Sequence, residues 1–307
     1  MQIEQTFKVM GGPATLVITP PSGRSATGLS LASKVQSHLE TLERRYSRYL
    51  TDSLVSTINR RAGSGDFTHL DPESETLLEI ADQLWRSSGG LFDITSGVLR
   101  KAWRFDAANT PVDLSQLAAL KKKVGWDKVK RTGEGVYLPV KGMEIDLGGL
   151  AKEYAADCAV RLLRDHGVTS ALIELAGDVA TIGSQPSGRP WRVGIRAPQG
   201  GDPVSGIALS NAAAATSGNY ARTLQFEGRT YGHLLNPLTG WPVEGPTSVT
   251  VIGENCLSAG AVTTIACLQS PKAAMAWLSE AGLPFLMIDQ DAGYSGPLAS
   301  KLGLIPP

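Results

Sequence analysis

The chain has 307 residues, 42% apolar and 19% charged, and its 29 basic and 29 acidic side chains leave a formal net charge of +0. This suits a globular protein of one large domain or two smaller ones, and it lacks the basic excess of a general nucleic-acid binder. The three cysteines, Cys158, Cys256 and Cys267, cannot all pair and show no close Cys/His spacing, which argues against a disulfide scaffold or a zinc site.

No run of about eighteen apolar residues is present, so no membrane span is expected. Residues 1–8 lack the basic-then-apolar pattern of an export signal. The expected location is the cytoplasm for the chain as written, or the periplasm if a leader has been removed.

In chain order, residues 3–19 read as strands broken by Met10-Gly11-Gly12-Pro13. That turn suits a hairpin, the favoured reading, or the close approach of backbone to a ligand. A helix is predicted from Ser30 as N-cap, with Leu31, Val35, Leu39, Leu42 and Tyr46 on its apolar face. Val55 to Asn59 reads as a further helical turn or two. A second helix over 73–87 buries Leu77, Ile80, Ala81, Leu84 and Trp85 and stops at Gly89-Gly90. Leu91 to Gly97 follows as a loop with a carboxylate beside an aromatic ring. Residues 107–143 read as an insertion, with Lys121 to Lys123 on a solvated helix face.

The centre of the chain is Glu144 to Asp157. It predicts a short strand, a turn at Gly148-Gly149, and a helix burying Leu150, Tyr154, Cys158 and Leu162. A glycine turn feeding a helix start offers backbone N–H groups and a positive dipole end to an anion. The same stretch also suits an ordinary strand–turn–helix with a solvated Lys152 and Asp146. Beyond it come strands at 171–175, 191–196, 212–215, 248–252 and 284–288, and helices at 257–268 and 273–281. His233 to Gly240 reads as strand, turn, strand. Strands and helices do not alternate strictly, which argues against a doubly wound parallel sheet. The prediction is an α+β fold with a mixed or largely antiparallel sheet and flanking helices, as one domain over 1–307 in one or two lobes.

Eight short motifs follow one another: Met10-Gly11, Ser47-Arg48-Tyr49 with Asp52-Ser53, Gly90-Leu-Phe-Asp93, Asp146-Leu-Gly-Gly-Leu-Ala-Lys152, Ala176-Gly-Asp178, Thr216-Ser-Gly-Asn-Tyr220, His233-Leu-Leu-Asn-Pro-Leu-Thr-Gly240 and Ser258-Ala-Gly-Ala-Val-Thr-Thr264. In this order the chain resembles the FAD:protein FMN transferases, the ApbE family, from about residue 6 to 290. The resemblance implies an enzyme that cleaves the FAD pyrophosphate with Mg²⁺. It would join FMN through its phosphate to a Thr or Ser of a partner protein, typically a subunit of a membrane redox complex, and release AMP. It implies that Met10 and Tyr49 line the flavin and that Leu91, Phe92 and Asp93 hold the adenosine end. Asp146, Lys152 and Leu234 would contact FAD, and the Gly149 carbonyl, Thr264 and Thr263 would face the metal. His233 would serve as base for the acceptor hydroxyl, an ordinary histidine titrating near pH 6.5; its other reading is a structural histidine beside the Asn-Pro turn.

The chain departs from the family pattern at four positions. Gly260 stands where a metal-ligating Asp is usual, Glu153 where Gly is common, Asn236 where Asp is common, and Ala176 where Gly is common. Loss of the Asp predicts a raised Mg²⁺ requirement. It also keeps two alternatives open: an FAD pyrophosphatase giving FMN and AMP, and a non-catalytic FAD-binding protein.

Overall fold

The structure, a computed structural model, describes residues 1–21, 23–105 and 112–304. Its frame is an eight-stranded sheet. The strands are β1 (Ile3–Val9), β2 (Gly12–Thr19), β3 (Ser170–Leu175), β4 (Asp178–Ile182), β5 (Ala213–Gly218), β6 (Ser248–Gly253), β7 (Phe285–Ile288) and β8 (Tyr294–Ser295). Their order in space is their order in the chain, and every neighbouring pair is antiparallel. The α+β expectation holds, with the sheet antiparallel throughout. Part of the 107–143 insertion lies outside the described residues.

The five longer helices are α1 (Ser25–Tyr46), α2 (Pro72–Ser87), α3 (Ala151–Asp165), α4 (Cys256–Cys267) and α5 (Pro271–Ala281). Local chemistry starts three of them. Asp71, Asn255 and Ser270 cap α2, α4 and α5 by accepting from Ser74, Ser258 and Ala273 backbone N–H groups, and Pro72 and Pro271 open their helices. α1 begins at Ser25, ahead of the expected Ser30 cap. Its extra turn lies against β1, where a Cβ on Gly28 would sit 2.6 Å from Ile3 Cγ1. The apolar face Leu31, Val35, Leu39, Leu42 and Tyr46 is buried as predicted.

Successive residues of β4 to β7 feed opposite faces of the sheet, as strand geometry requires. Ala180, Ala213 and Phe285 join the cores under the helices. Val179, Ala214 and Leu286 join a separate core beneath the Trp191–Ile195/Ser205–Leu209 hairpin and the Pro297–Lys301 helix. Burial on both faces explains the near-continuous apolar runs in these strands. A further cluster around the fully buried Trp103 is built from Val98, Leu99, Leu120, Leu224 and Leu235.

Two local expectations change. Glu144 to Leu147 forms no strand; it is extended chain held by Asp146 N–H donating to the Ile94 carbonyl (2.7 Å) and by a two-way bond between Asn59 and the Ile145 backbone (2.7 and 3.0 Å). With sheet partners absent on both sides, ladder bonding gives way to side-chain bonding. Leu91 to Gly97 is not all loop, because Asp93 caps a 3₁₀ helix at Ile94–Lys101. The Met10 turn is a hairpin: Val9 pairs with Gly12, and Met10 and Gly11 take φ of 54° and 73°, the left-handed geometry of a two-residue hairpin turn. All three cysteines are free and buried, and burial raises their thiol pKa values, so they are inert core groups.

Candidate functional site

A cleft open to solvent runs between the 3₁₀ helix at Ile94–Lys101, the Asp146–Gly149 turn, the chain at His233–Leu235 and the C-terminal half of α4. Its lining unites Leu91, Phe92, Asp93, Asp146, Gly149, His233, Leu234 and Thr264, eight of the residues singled out from sequence. A second hollow adjoins it, sharing Arg100 and His233 and adding Tyr49, Arg104 and Arg222. Met10, Lys152 and Thr263 line neither hollow.

Asp146 organises the floor. Its Oδ2 accepts from Arg48 at 3.0 Å and Arg100 at 3.1 Å, and its Oδ1 accepts from the Gly148 N–H at 2.9 Å. Arg48 also reaches Glu144 at 3.5 Å and donates to the Gly97 carbonyl at 3.3 Å. Asp146 and Arg48 have side chains only 13% and 17% exposed, so this pair is largely shielded from water and from salt. The carboxylate thereby fixes the glycine turn to the 3₁₀ helix, and Tyr49 stacks over Arg48 with 5.6 Å from guanidinium to ring centre.

Asp93 has a structural commitment. Oδ1 accepts from the Thr95 N–H (2.7 Å) and hydroxyl (2.6 Å), and Oδ2 accepts from the Trp126 N–H (2.9 Å). Burial pushes its pKa up despite those three donors. The same loop sets Phe92 in the cleft wall against Gly149, where a Cβ would meet the ring at 3.4 Å.

His233 follows the hairpin Thr223–Phe226/Arg229–Gly232. Asn219 holds this chain by accepting from the Leu234 N–H (3.1 Å) and donating to the Val243 carbonyl (3.2 Å). Asn236 caps the following turn by accepting from the Leu238 (2.8 Å) and Thr239 (3.2 Å) N–H groups, a role Asp fills equally well. The strand, turn, strand predicted over His233 to Gly240 is reduced to a single bridge of Leu235 with Pro242, on either side of the Asn236 turn. Burial, with Arg100 and Arg222 nearby, lowers the His233 pKa to about 4, well below the ordinary 6.5. The imidazole is therefore neutral at pH 7, and its Nδ1 is buried without a hydrogen-bond partner.

Behind the cleft lies a second polar group. Lys152 pairs with Glu153 at 3.1 Å and with Asp178, whose other oxygen accepts from the Thr216 N–H at 3.0 Å. The two threonines of α4 part company. Thr263 is fully buried and donates to the Gly260 carbonyl (2.9 Å), whereas Thr264 borders the cleft and shares Ser217 with it, at 2.8 Å for Thr263 and 3.2 Å for Thr264. Among the described residues no three His, Cys, Asp or Glu side chains converge into a metal cluster. On the cleft lining, Gly149 offers a carbonyl oxygen and Thr264 a hydroxyl to a hard cation; the Glu153 carboxylate, whose Oε2 is buried without a partner, lies outside that lining, against Gly260 of α4. A hard divalent ion of the Mg²⁺ class fits such a donor set when substrate phosphate supplies further ligands.

The ApbE family profile matches residues 10–287. The chain belongs to the ApbE family. Among relatives, it is 28% identical over 272 residues to a protein of Klebsiella pneumoniae (strain 342) named FAD:protein FMN transferase, covering 84% of this chain and 77% of that one. It is 28% identical over 274 residues to the protein of that name from Escherichia coli (strain K12), covering 85% and 77%. Among solved structures, the ApbE protein of Thermotoga maritima matches with a TM-score of 0.88 at 26% identity, over 98% of this chain and 99% of that one. The flavin transferase ApbE from Vibrio cholerae matches at 0.84 and 25%, over 96% of both.

For this ApbE chain, sequence reasoning missed Arg100 and Arg222 as cleft groups; Glu153 stood out only as a departure from the family pattern, and it packs against Gly260 without lining either hollow. Arg100 and Arg222 lie in stretches without an apolar period to frame them. Asn219 was visible inside the Thr216–Tyr220 motif, but its service to the His233 backbone emerges only in three dimensions.

Proposed function

We propose that this chain is a flavin transferase that takes FAD, attaches its FMN half to a protein hydroxyl and releases AMP. The observation that carries the reading is the neutral His233 in a cleft with two guanidinium groups, Arg100 and Arg222, beside Thr264 and the Gly149 turn. A pyrophosphate needs its charge balanced and its attacker aligned. The arginines supply positive charge, and the apolar wall of Phe92 and Leu234 offers an aromatic ring system a place to pack.

In the reaction, the oxygen of an acceptor Thr or Ser attacks the phosphorus of the FMN half. The bond from that phosphorus to the bridging oxygen breaks, the electron pair leaves with AMP, and the hydroxyl proton passes to the His233 imidazole. An imidazole with a pKa near 4 is unprotonated and thus available, though weakly basic. Bound pyrophosphate would raise that pKa by placing negative charge near the ring. Mg²⁺, held toward Thr264, Gly149 and Glu153, would neutralise phosphate charge. The expected acceptor is a small-residue Thr or Ser motif on a subunit of a membrane-bound redox complex; among the described residues of this chain no helix is long and apolar enough to cross a membrane.

The test is intact-mass analysis of a Thr-containing acceptor domain incubated with the protein, FAD and Mg²⁺. A gain of one FMN unit that disappears with His233→Ala supports the reading. Free FMN and AMP without acceptor gain would make the chain a pyrophosphatase, and FAD recovered intact would make it a flavin-binding protein.

A further inference from the structure

Glu153 is 6% exposed, in the first turn of α3, and one of its carboxylate oxygens has no hydrogen-bond partner. A buried carboxylate with an idle oxygen is costly unless something else binds it. The side chain lies directly over Gly260 of α4: a Cβ built there would meet Glu153 Cγ at 2.5 Å, Cδ at 3.2 Å and Oε1 at 3.3 Å. Glu153 therefore fills the volume that any side chain at position 260 would need. Gly260 and Thr264 are four residues apart on α4 and share one face. The Glu153 side chain thus meets α4 one helical turn before Thr264, which borders the cleft.

Neighbouring carboxylates are otherwise engaged. Asp157, the next turn along α3, accepts from the Cys256 N–H (2.8 Å) and Leu257 N–H (2.9 Å) at the start of α4. Asp178 is held by Lys152 and the Thr216 N–H. Lys152 thus stands against two carboxylates at this helix junction, Glu153 and Asp178.

We propose that Glu153 is the carboxylate ligand of a divalent cation at this junction, delivered from α3 across the gap that Gly260 leaves in α4. The absence of a side-chain carboxylate at position 260 and the presence of one at 153 are a single exchange in space. The ligand oxygen reaches the same volume from the facing helix, and the cation-binding capacity of the cleft is retained. The inference rests on the transferase reading only for the use of the ion, not for its binding.

The experiment is titration of the full chain with Mn²⁺, with and without FAD, followed by electron paramagnetic resonance of free Mn²⁺. Wild type should bind one Mn²⁺. Glu153→Gln, which keeps size and burial, should weaken binding about tenfold or more. The exchanged double variant Glu153→Gly with Gly260→Asp should return affinity to within a few-fold of wild type, a recovery that a purely structural Glu153 would not produce. Wild-type Mn²⁺ affinity in Glu153→Gln, or no recovery in a folded double variant, overturns the proposal. So does a wild type that binds no Mn²⁺. Loss of binding in Glu153→Gln alongside no FMN transfer by wild type would sustain the cation site and defeat the transferase reading.

Discussion

Gly260→Ala makes the packing at the α3–α4 junction measurable. In an exposed helix interior this change is worth about 1 kcal/mol of stabilisation through backbone entropy. Here the new methyl carbon would arrive 2.5 Å from Glu153 Cγ, a distance real Cβ atoms do not show. The obstructing atom is mid-chain and buried, and Glu153 cannot withdraw without leaving Lys152, 3.1 Å away. Overpacking of this kind costs about 1–3 kcal/mol, so the net effect should be a loss of about 1–2 kcal/mol after the propensity gain. In a Glu153→Ala background the obstacle is gone, and the same substitution should stabilise by up to about 1 kcal/mol. Urea unfolding of the four proteins in this cycle gives both values and a coupling energy on the order of 2 kcal/mol. Equal effects of Gly260→Ala in the two backgrounds would refute the contact. The same geometry implies that Gly260→Asp alone restores nothing, because the aspartate has no room until Glu153 is removed.

Three further outcomes are expected. Below pH 6.5 the unfolded chain protonates His233 while the folded chain, with a pKa near 4, does not. Stability should therefore fall as pH drops from 6.5 to 4, by at most about 3 kcal/mol from this residue. Urea midpoints of wild type and His233→Asn across that range test this, and parallel curves would reject it. Asp93→Ala strips acceptors from the Thr95 and Trp126 N–H groups and should lose about 1–3 kcal/mol in thermal unfolding; an unchanged melting temperature would mean that water replaces the carboxylate without cost. Asp146→Asn leaves Arg48 and Arg100 without their shared anion and should cost on the order of 2 kcal/mol, with weaker FAD binding by fluorescence titration; wild-type FAD affinity would show that the glycine turn holds its shape unaided.

Periodicity and capping chemistry are local, and they made much of this fold readable in advance. The stripe Leu31, Val35, Leu39, Leu42 and Tyr46 is buried, α2 runs one residue longer than predicted, and α4 and the strands Ser170–Leu175 and Phe285–Ile288 fall close to their expected bounds. The ordered short motifs carried the family. Segments whose shape is set by partners far along the chain were misread: Glu144 to Leu147 is extended but bonds to Asn59 and Ile94 instead of a sheet, and α1 starts early because Ile3 covers its first turn.

The chemistry of the cleft divides along the same line. The resemblance carried by the ordered motifs marked His233, Asp146 and Thr264 as site groups. Only the packed structure showed that Asp93 spends both oxygens on the loop, that Thr263 turns inward while Thr264 meets the cleft, and that burial beside two arginines makes His233 a neutral imidazole. Read along the chain, Gly260 and Glu153 are two separate departures, one lost carboxylate and one surplus. In space they are in contact. Sequence determines such features wherever the deciding force acts within a helical turn or a strand repeat. Packing decides them wherever it acts through space between segments that meet only when the chain folds.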